Sequence, residues 1–144
     1  MAPPRAPALY SPELLALAVE LADYPLDEAA ATRGHARSRS CGSVIELSSA
    51  RSDRLEAMGL RVAACAVGQA SAAIFAHEAA GSDVATLSAT LERLENWLEG
   101  YEPDSFLPRL ELLAPARTHR GRHEAILLPW RAALDALSKA GASR

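Results

Sequence analysis

The residues best equipped for chemistry in this 144-residue chain are few and widely spaced. Cys41 and Cys65 are the only two cysteines. Cys65 stands where the β-branched stretch "RVAAC" gives way to the small-residue stretch "AVGQASAAIFA". A thiol where a strand ends and a helix begins faces unpaired backbone N–H groups, which favour the thiolate. Cys41 holds a similar boundary position in "SCGS", with Gly42 permitting a sharp turn. A third group, His123 with Glu124, opens the segment "RHEAILLPW". Two thiolates, an imidazole and a carboxylate make a ligand set suited to zinc. No CxxC pair is present, so only folding could assemble that set. The alternative for each thiol is packing, because an unpaired cysteine is among the most buried residue types.

The elements that must position these groups follow from pattern. "SPELLALAVELA" predicts a short amphipathic helix with Ser11 as N-cap, Pro12 at the first helical position and Leu14, Ala18 and Leu21 on its apolar stripe. Pro25 ends it. From Asp27 to Ser40 the chain is polar, with Arg33, His35, Arg37 and Arg39 together, and reads as a solvated loop with a docking patch as the alternative. "SVIELSS" and "RLEAMGLRVAAC" predict two extended segments joined through "ARSD" as an antiparallel hairpin, which would return Cys41 and Cys65 to one end of a sheet. Ala66 to Ala80 predicts a helix whose small residues let it lie close to that sheet. Gly81 stops it, and Ser82 or Asp83 caps the next helix, whose Val84, Leu87, Leu91, Leu94 and Leu98 recur at helical spacing up to Gly100. A shorter helix is expected over about 105–113, before Pro115. The basic link "ARTHRGRHE" then leads to a last helix carrying Leu127, Trp130, Leu134 and Leu137, beginning near Ala125 or kinked at Pro129. Helix, small sheet, then helices define an α+β domain, a small antiparallel β-sheet packed against several α-helices.

Composition narrows the function classes. A net charge of −3 and a sequence pI near 5.8 leave no global field to draw nucleic acid or anionic membrane. No apolar run approaches the roughly 20 residues of a membrane span, and "MAPPRAPALY" lacks the apolar core of a secretory signal. Two cysteines make no disulfide framework and fit a reducing, cytoplasmic setting. The domain reading is one unit over 10–140, with a flexible lead over 1–9 and a tail over 141–144. Trp97 and Trp130 are expected in the core, His77 and Glu78 at the surface, and His35 and His119 in loops.

"CGSVIEL", "ACAVGQASAAIFAHEAAG" and "RHEAILLPW" resemble, in that order, three motifs of the U-type iron–sulfur cluster assembly scaffolds (IscU, SufU and the N-terminal domain of NifU). The resemblance spans about residues 10 to 140. In that family the first motif runs Cys-Gly-Asp before a strand, and the second joins a Gly-Cys or similar pair to a Ser/Ala-rich helix. The third opens the last helix with a Cys, often preceded by His or Lys. Carried over residue by residue, the resemblance aligns Cys41 and Cys65 with the first two family cysteines and His123 with the histidine before the third. Ser43 takes the place of the metal-facing Asp and Glu124 that of the third Cys. This monomer therefore offers two thiolates where cluster iron is mostly held by thiolate sulfur. A homodimer could offer four.

The resemblance implies a scaffold that binds a cluster of the 2Fe–2S kind through Cys41 and Cys65, with His123, Glu124 and Ser43 as candidate further metal ligands. It implies a cysteine desulfurase as sulfur donor, apo-proteins as cluster acceptors, and a monomer or homodimer. It implies no enzyme in its own right. No activated nucleophile with a base and oxyanion donors can be assembled from these motifs either. The first alternative is a zinc-binding or sulfur-accepting partner of a desulfurase. The second is a metal-free interaction module that keeps the fold.

Overall fold

The computed structural model describes residues 9–142. The expected lead and tail therefore lie, apart from Leu9, Gly141 and Ala142, outside the described residues. Helix α1 spans Pro12–Val19, and the Ser11 hydroxyl caps it by accepting the Leu14 amide at 3.1 Å. It buries Leu14 and Leu17, so the inward stripe runs one residue off the Leu14–Ala18–Leu21 line expected from spacing. A 3-10 turn over Glu20–Asp23 follows, and Pro25 then bridges to Leu60 beside the sheet.

Three strands form one antiparallel sheet in the order β1-β2-β3: β1 Thr32–Arg37, β2 Val44–Ser49 and β3 Gly59–Ala63. The two segments expected as a hairpin are β2 and β3, although their connection is longer than "ARSD" and holds Leu55 as a buried loop residue. Strand β1 corrects the loop expected over 27–40, and His35 lies on it. Its inward positions are Thr32, Gly34 and Ala36, opposite Ser49, Leu47 and Ile45. None is a bulky apolar residue, so the alternation of a strand leaves almost no hydrophobic trace in the sequence. Gly34 is small because another backbone occupies its side-chain space. A Cβ there would strike the Ala132 carbonyl oxygen and come within 2.5 Å of the Ala136 nitrogen.

That second backbone belongs to α4, His123–Ala142, which packs across β1 and β2. Helix α2, Ala66–Glu78, lies between α1 and α4, and α3, Val84–Leu98, runs against α4. Asp83 caps α3, its side chain accepting the Thr86 amide at 2.9 Å, and Gly100 follows the helix in left-handed geometry at φ 91°. The helix expected over 105–113 is instead a pair of 3-10 segments, Asp104–Phe106 and Leu110–Thr118, with Pro115 inside the second. Pro108 and Pro115 lack the amides that a continuous α-helix needs. Helix α4 starts at His123, two residues before the expected Ala125, and runs through Pro129. Pro129 cannot donate to the Ala125 carbonyl, and at the next one, Ile126, the buried Ser71 hydroxyl of α2 donates at 2.6 Å.

Trp97, Trp130 and Phe75 are fully buried, the last two edge to face with ring centroids 5.2 Å apart. Within α2, Ala70, Ala72, Ala73 and Ala76 are buried, and these small faces let three helices close on one another. Among the described residues no helix is long and apolar enough to cross a membrane.

Candidate thiol site

Residues 38–43 form the turn between β1 and β2. The Ser38 amide donates to the Ser43 carbonyl at 2.8 Å, and the Gly42 amide donates back to the Ser38 carbonyl at 3.2 Å. Gly42 adopts φ 72°, which glycine reaches without steric cost. Cys41 sits exposed in this turn, and its amide donates to the Ser38 hydroxyl at 3.3 Å. The Cys41 Sγ lies 3.2 Å from the Ser38 Oγ and 3.0 Å from the Ser43 Oγ. A protonated thiol donates to these oxygens, whereas an ionised one accepts from the hydroxyls. Partial burial works against the thiolate, but the hydroxyls of Ser38 and Ser43, with the Ser43 amide and the Ser40 hydroxyl, outweigh it. The Cys41 pKa is held below that of an ordinary cysteine.

Glu124 ties this turn to α4. Its Oε2 accepts the Arg39 amide at 2.8 Å, and the Ser40 hydroxyl donates to the Gly121 carbonyl at 3.3 Å just before the helix. The Arg39 amide, then the Ser38 hydroxyl, hold the Glu124 carboxyl below the usual carboxylate range. Arg131 and the Ser40 amide add to them against a smaller cost of burial. Ser38 has a single hydroxyl proton, so it serves either the carboxylate or the Cys41 thiolate at one time. The Arg39 amide for Glu124 and the Ser43 hydroxyl for Cys41 are independent of that choice.

Cys65 is the N-cap of α2, with extended backbone angles of −66° and 170°. Its side chain makes no capping hydrogen bond and packs half-buried against the core, while its carbonyl accepts the Gln69 amide at 2.9 Å. In the ladder Val44 pairs with Ala63, so residues 41 and 65 both leave the same end of the β2–β3 pair.

His123 faces elsewhere. Its Nε2 lies 2.7 Å from the Arg117 carbonyl oxygen, and it lines a hollow with Glu95, Asn96, Glu99 and Leu127 between α3 and α4. Successive helical residues are rotated by about 100°, which sends His123 toward α3 and Glu124 toward the Cys41 turn. Among the described residues no three His, Cys, Asp or Glu side chains are grouped as a metal would require. The structure thus joins Cys41, Ser43 and Glu124 through one turn, with Cys65 at the same end of the sheet and His123 apart. Ser38 is a member of this arrangement that the sequence reading left inside a loop. Its signal was the serine-rich "SRSCGS", since short hydroxyl side chains around a turn commonly bond to local backbone.

Solved structures share this architecture. The N-terminal part of a nitrogen-fixing NifU-like protein from Brucella abortus superposes with a TM-score of 0.78 at 22% identity, covering 94% of this chain and 96% of its own. The chain has the U-type scaffold fold. A SufU from the thermophile Fervidobacterium islandicum AW-1, assigned as an iron–sulfur cluster assembly scaffold for the SUF system, gives a TM-score of 0.76 at 20% identity, with 90% and 96% covered. A further solved protein of no stated function gives 0.71 at 20% identity, with 88% and 97% covered. No family model matches the sequence, and no curated protein matches it significantly. Within the U-type fold, the three motifs recognised in sequence fall on the β1–β2 turn, the start of α2 and the start of α4.

Proposed function

We propose that the protein acts in iron–sulfur cluster assembly as a scaffold-like carrier rather than as a catalyst, with Cys41 and Cys65 as its working thiols. The cluster, or its iron and sulfur, is cargo. The observation that carries this reading is the exposed Cys41, set in a turn whose hydroxyls favour its thiolate, at the sheet end that Cys65 also occupies. The U-type fold supports it. A cysteine desulfurase is the proposed sulfur source, and apo-proteins are the proposed acceptors.

The donor set differs from a closed metal site. Glu124 spends its carboxylate on the Arg39 amide, and His123 is held by the Arg117 carbonyl oxygen. A carboxylate remains a competent zinc ligand, but recruiting Glu124 means releasing that turn. The same observation favours a second reading, in which the protein accepts sulfur without first holding metal. The Cys41 thiolate attacks the terminal sulfur of a donor persulfide. A new S–S bond forms on Cys41, the donor's S–S bond breaks, the donor leaves as thiolate, and the proton stays on the transferred sulfur.

The test is anaerobic reconstitution with iron and a sulfur donor, followed by metal and sulfide content, visible absorption and intact mass. The wild-type chain should retain iron and sulfide, and Cys41→Ser or Cys65→Ser should lose them. Glu124→Cys should lengthen cluster lifetime by restoring a soft third thiolate. A one-sulfur mass gain on Cys41 without iron selects the sulfur-accepting reading. Retention of neither sulfur nor iron by wild type and Glu124→Cys overturns both.

A further inference from the structure

The arginines of this molecule divide by location. Those away from the Cys41 turn have acidic or aromatic neighbours: Arg51 pairs with Asp53, Arg61 with Glu46 and Glu28, Arg93 with Glu102 and Arg109 with Glu20, and Arg117 lies over the Trp97 ring. Among the described residues Arg33, Arg54 and Arg131 make no such ion pair but lie within electrostatic reach of Glu28, Asp53 and Glu124. Those at the turn differ. Arg37 closes β1 opposite Val44, and Arg39 lies within the turn. Arg120 and Arg122 flank Gly121, whose carbonyl receives the Ser40 hydroxyl. Among the described residues none of these four is in an ion pair, and Arg122 meets only the Tyr10 hydroxyl, at 3.2 Å. Arg37, Arg39 and Arg120 are exposed.

This arrangement is not a by-product of composition. Acidic residues outnumber Lys and Arg by 18 to 15, so carboxylates are available across the chain. The carboxylate that does reach this turn, Glu124, faces backbone amides there. Four arginines on the chain at or beside one turn, none of them ion-paired, leave an excess of positive charge there that an incoming anionic surface offsets. Guanidinium is also the side chain whose fork matches carboxylate oxygens two at a time.

We propose that Arg37, Arg39, Arg120 and Arg122 form a docking rim for an acidic segment of a protein partner that comes to Cys41. Arg37 and Arg39 lie on the chain just before the exposed thiol, and the Ser40–Gly121 contact brings Arg120 and Arg122 to the same turn, so a partner whose reactive sulfur sits within or beside an aspartate- and glutamate-rich loop is drawn to Cys41 by charge. This deepens the proposed function and rests on it only for why a partner visits the thiol. An electrostatic rim of this kind acts chiefly on encounter rate and partner choice.

The experiment titrates the full chain with a fluorescein-labelled, aspartate-rich peptide, reads anisotropy, and measures Cys41 alkylation with and without the peptide. The peptide should bind, slow alkylation of Cys41, and dissociate as salt rises from about 0.01 M to about 0.1 M, over which the screening length falls from about 30 Å to about 10 Å. Arg37→Gln with Arg39→Gln and Arg120→Gln should weaken binding about five-fold or more, since exposed pairs contribute modestly one by one. Arg51→Gln with Arg93→Gln, a control that also removes charge, should leave it unchanged. Cys41→Ser should keep full binding, so a failure of sulfur or iron handling leaves the docking result standing by itself. Three outcomes would overturn the proposal: equal weakening in the control, equal binding of an uncharged peptide, or tighter binding and stronger Cys41 protection by a single-stranded oligonucleotide. Because peptide protection of Cys41 is read on the native chain, a variant that fails to fold does not remove the test.

Discussion

The two thiols occupy the same end of one sheet yet live in different surroundings. Cys41 is exposed, its sulfur against the Ser38 and Ser43 hydroxyls in a turn that Ser40 and Glu124 also tie down, so its position depends on directional hydrogen bonds. Cys65 is half-buried at the start of α2, forms no side-chain capping bond, and is positioned by the apolar packing of that helix. A thiol set by hydrogen bonds can be tuned by single hydroxyl groups, whereas a thiol set by packing moves only with its helix. Under the proposed function, this difference fits Cys41 to the outward contact with a sulfur donor and Cys65 to the role of a fixed second thiolate.

Four changes test that contrast, from the largest effect to the smallest. Gly34→Ala forces a Cβ into the backbone of α4 and should lower unfolding stability by about 3 kcal/mol in a denaturant titration. It should also loosen the Cys41 turn, which β1 leads into. A stability within a few tenths of wild type would mean that α4 does not hold β1 as described. Ser71→Ala acts on the other side, removing the buried bond from α2 to the Ile126 carbonyl. It should cost about 1–2 kcal/mol and raise the reactivity of Cys65 more than that of Cys41. Equal changes at both thiols would erase the distinction between them.

Ser43→Ala removes the hydroxyl nearest the Cys41 sulfur and should slow alkylation of Cys41 at pH 7 about three-fold, with Cys65 as the internal reference. The sign follows from the lowered Cys41 pKa: its thiolate already forms below pH ~8.5, where a free cysteine is half-ionised, so the wild-type rate should level off at lower pH than for a cysteine peptide. The smallest effect belongs to Glu124→Gln, which weakens the tether to the Arg39 amide and should reduce its hydrogen-exchange protection about five-fold. In the wild type the tether is complete above the ordinary carboxylate pKa of ~4.3, and it is lost as pH falls through the lowered folded value. Unchanged protection of the Arg39 amide in Glu124→Gln would separate the first motif from the third.

Much of this molecule could be read directly from the chain. Ser11 as a helix cap, a second cap at Ser82 or Asp83 (the structure uses Asp83), Gly81 and Gly100 as stops, and the buried tryptophans follow from local chemistry that acts within one turn of the backbone. The paired strands around 44–49 and 59–63 also announce themselves, because Ile45, Leu47 and Leu60 carry a hydrophobic alternation. With the order of elements they determined the α+β class, and the three spaced motifs pointed to the U-type fold. Tertiary structure decided what pattern cannot carry. Strand β1 exists because α4 packs on Gly34, a contact about 100 residues away in sequence that leaves no apolar period behind. The fate of the third motif was likewise settled in three dimensions. His123 and Glu124 are neighbours in sequence, but the rotation of one helical residue turns the imidazole to the Arg117 carbonyl and the carboxylate to the Arg39 amide. Sequence supplies the side chains and their spacing along an element, but which distant backbone meets each of them depends on how the elements pack.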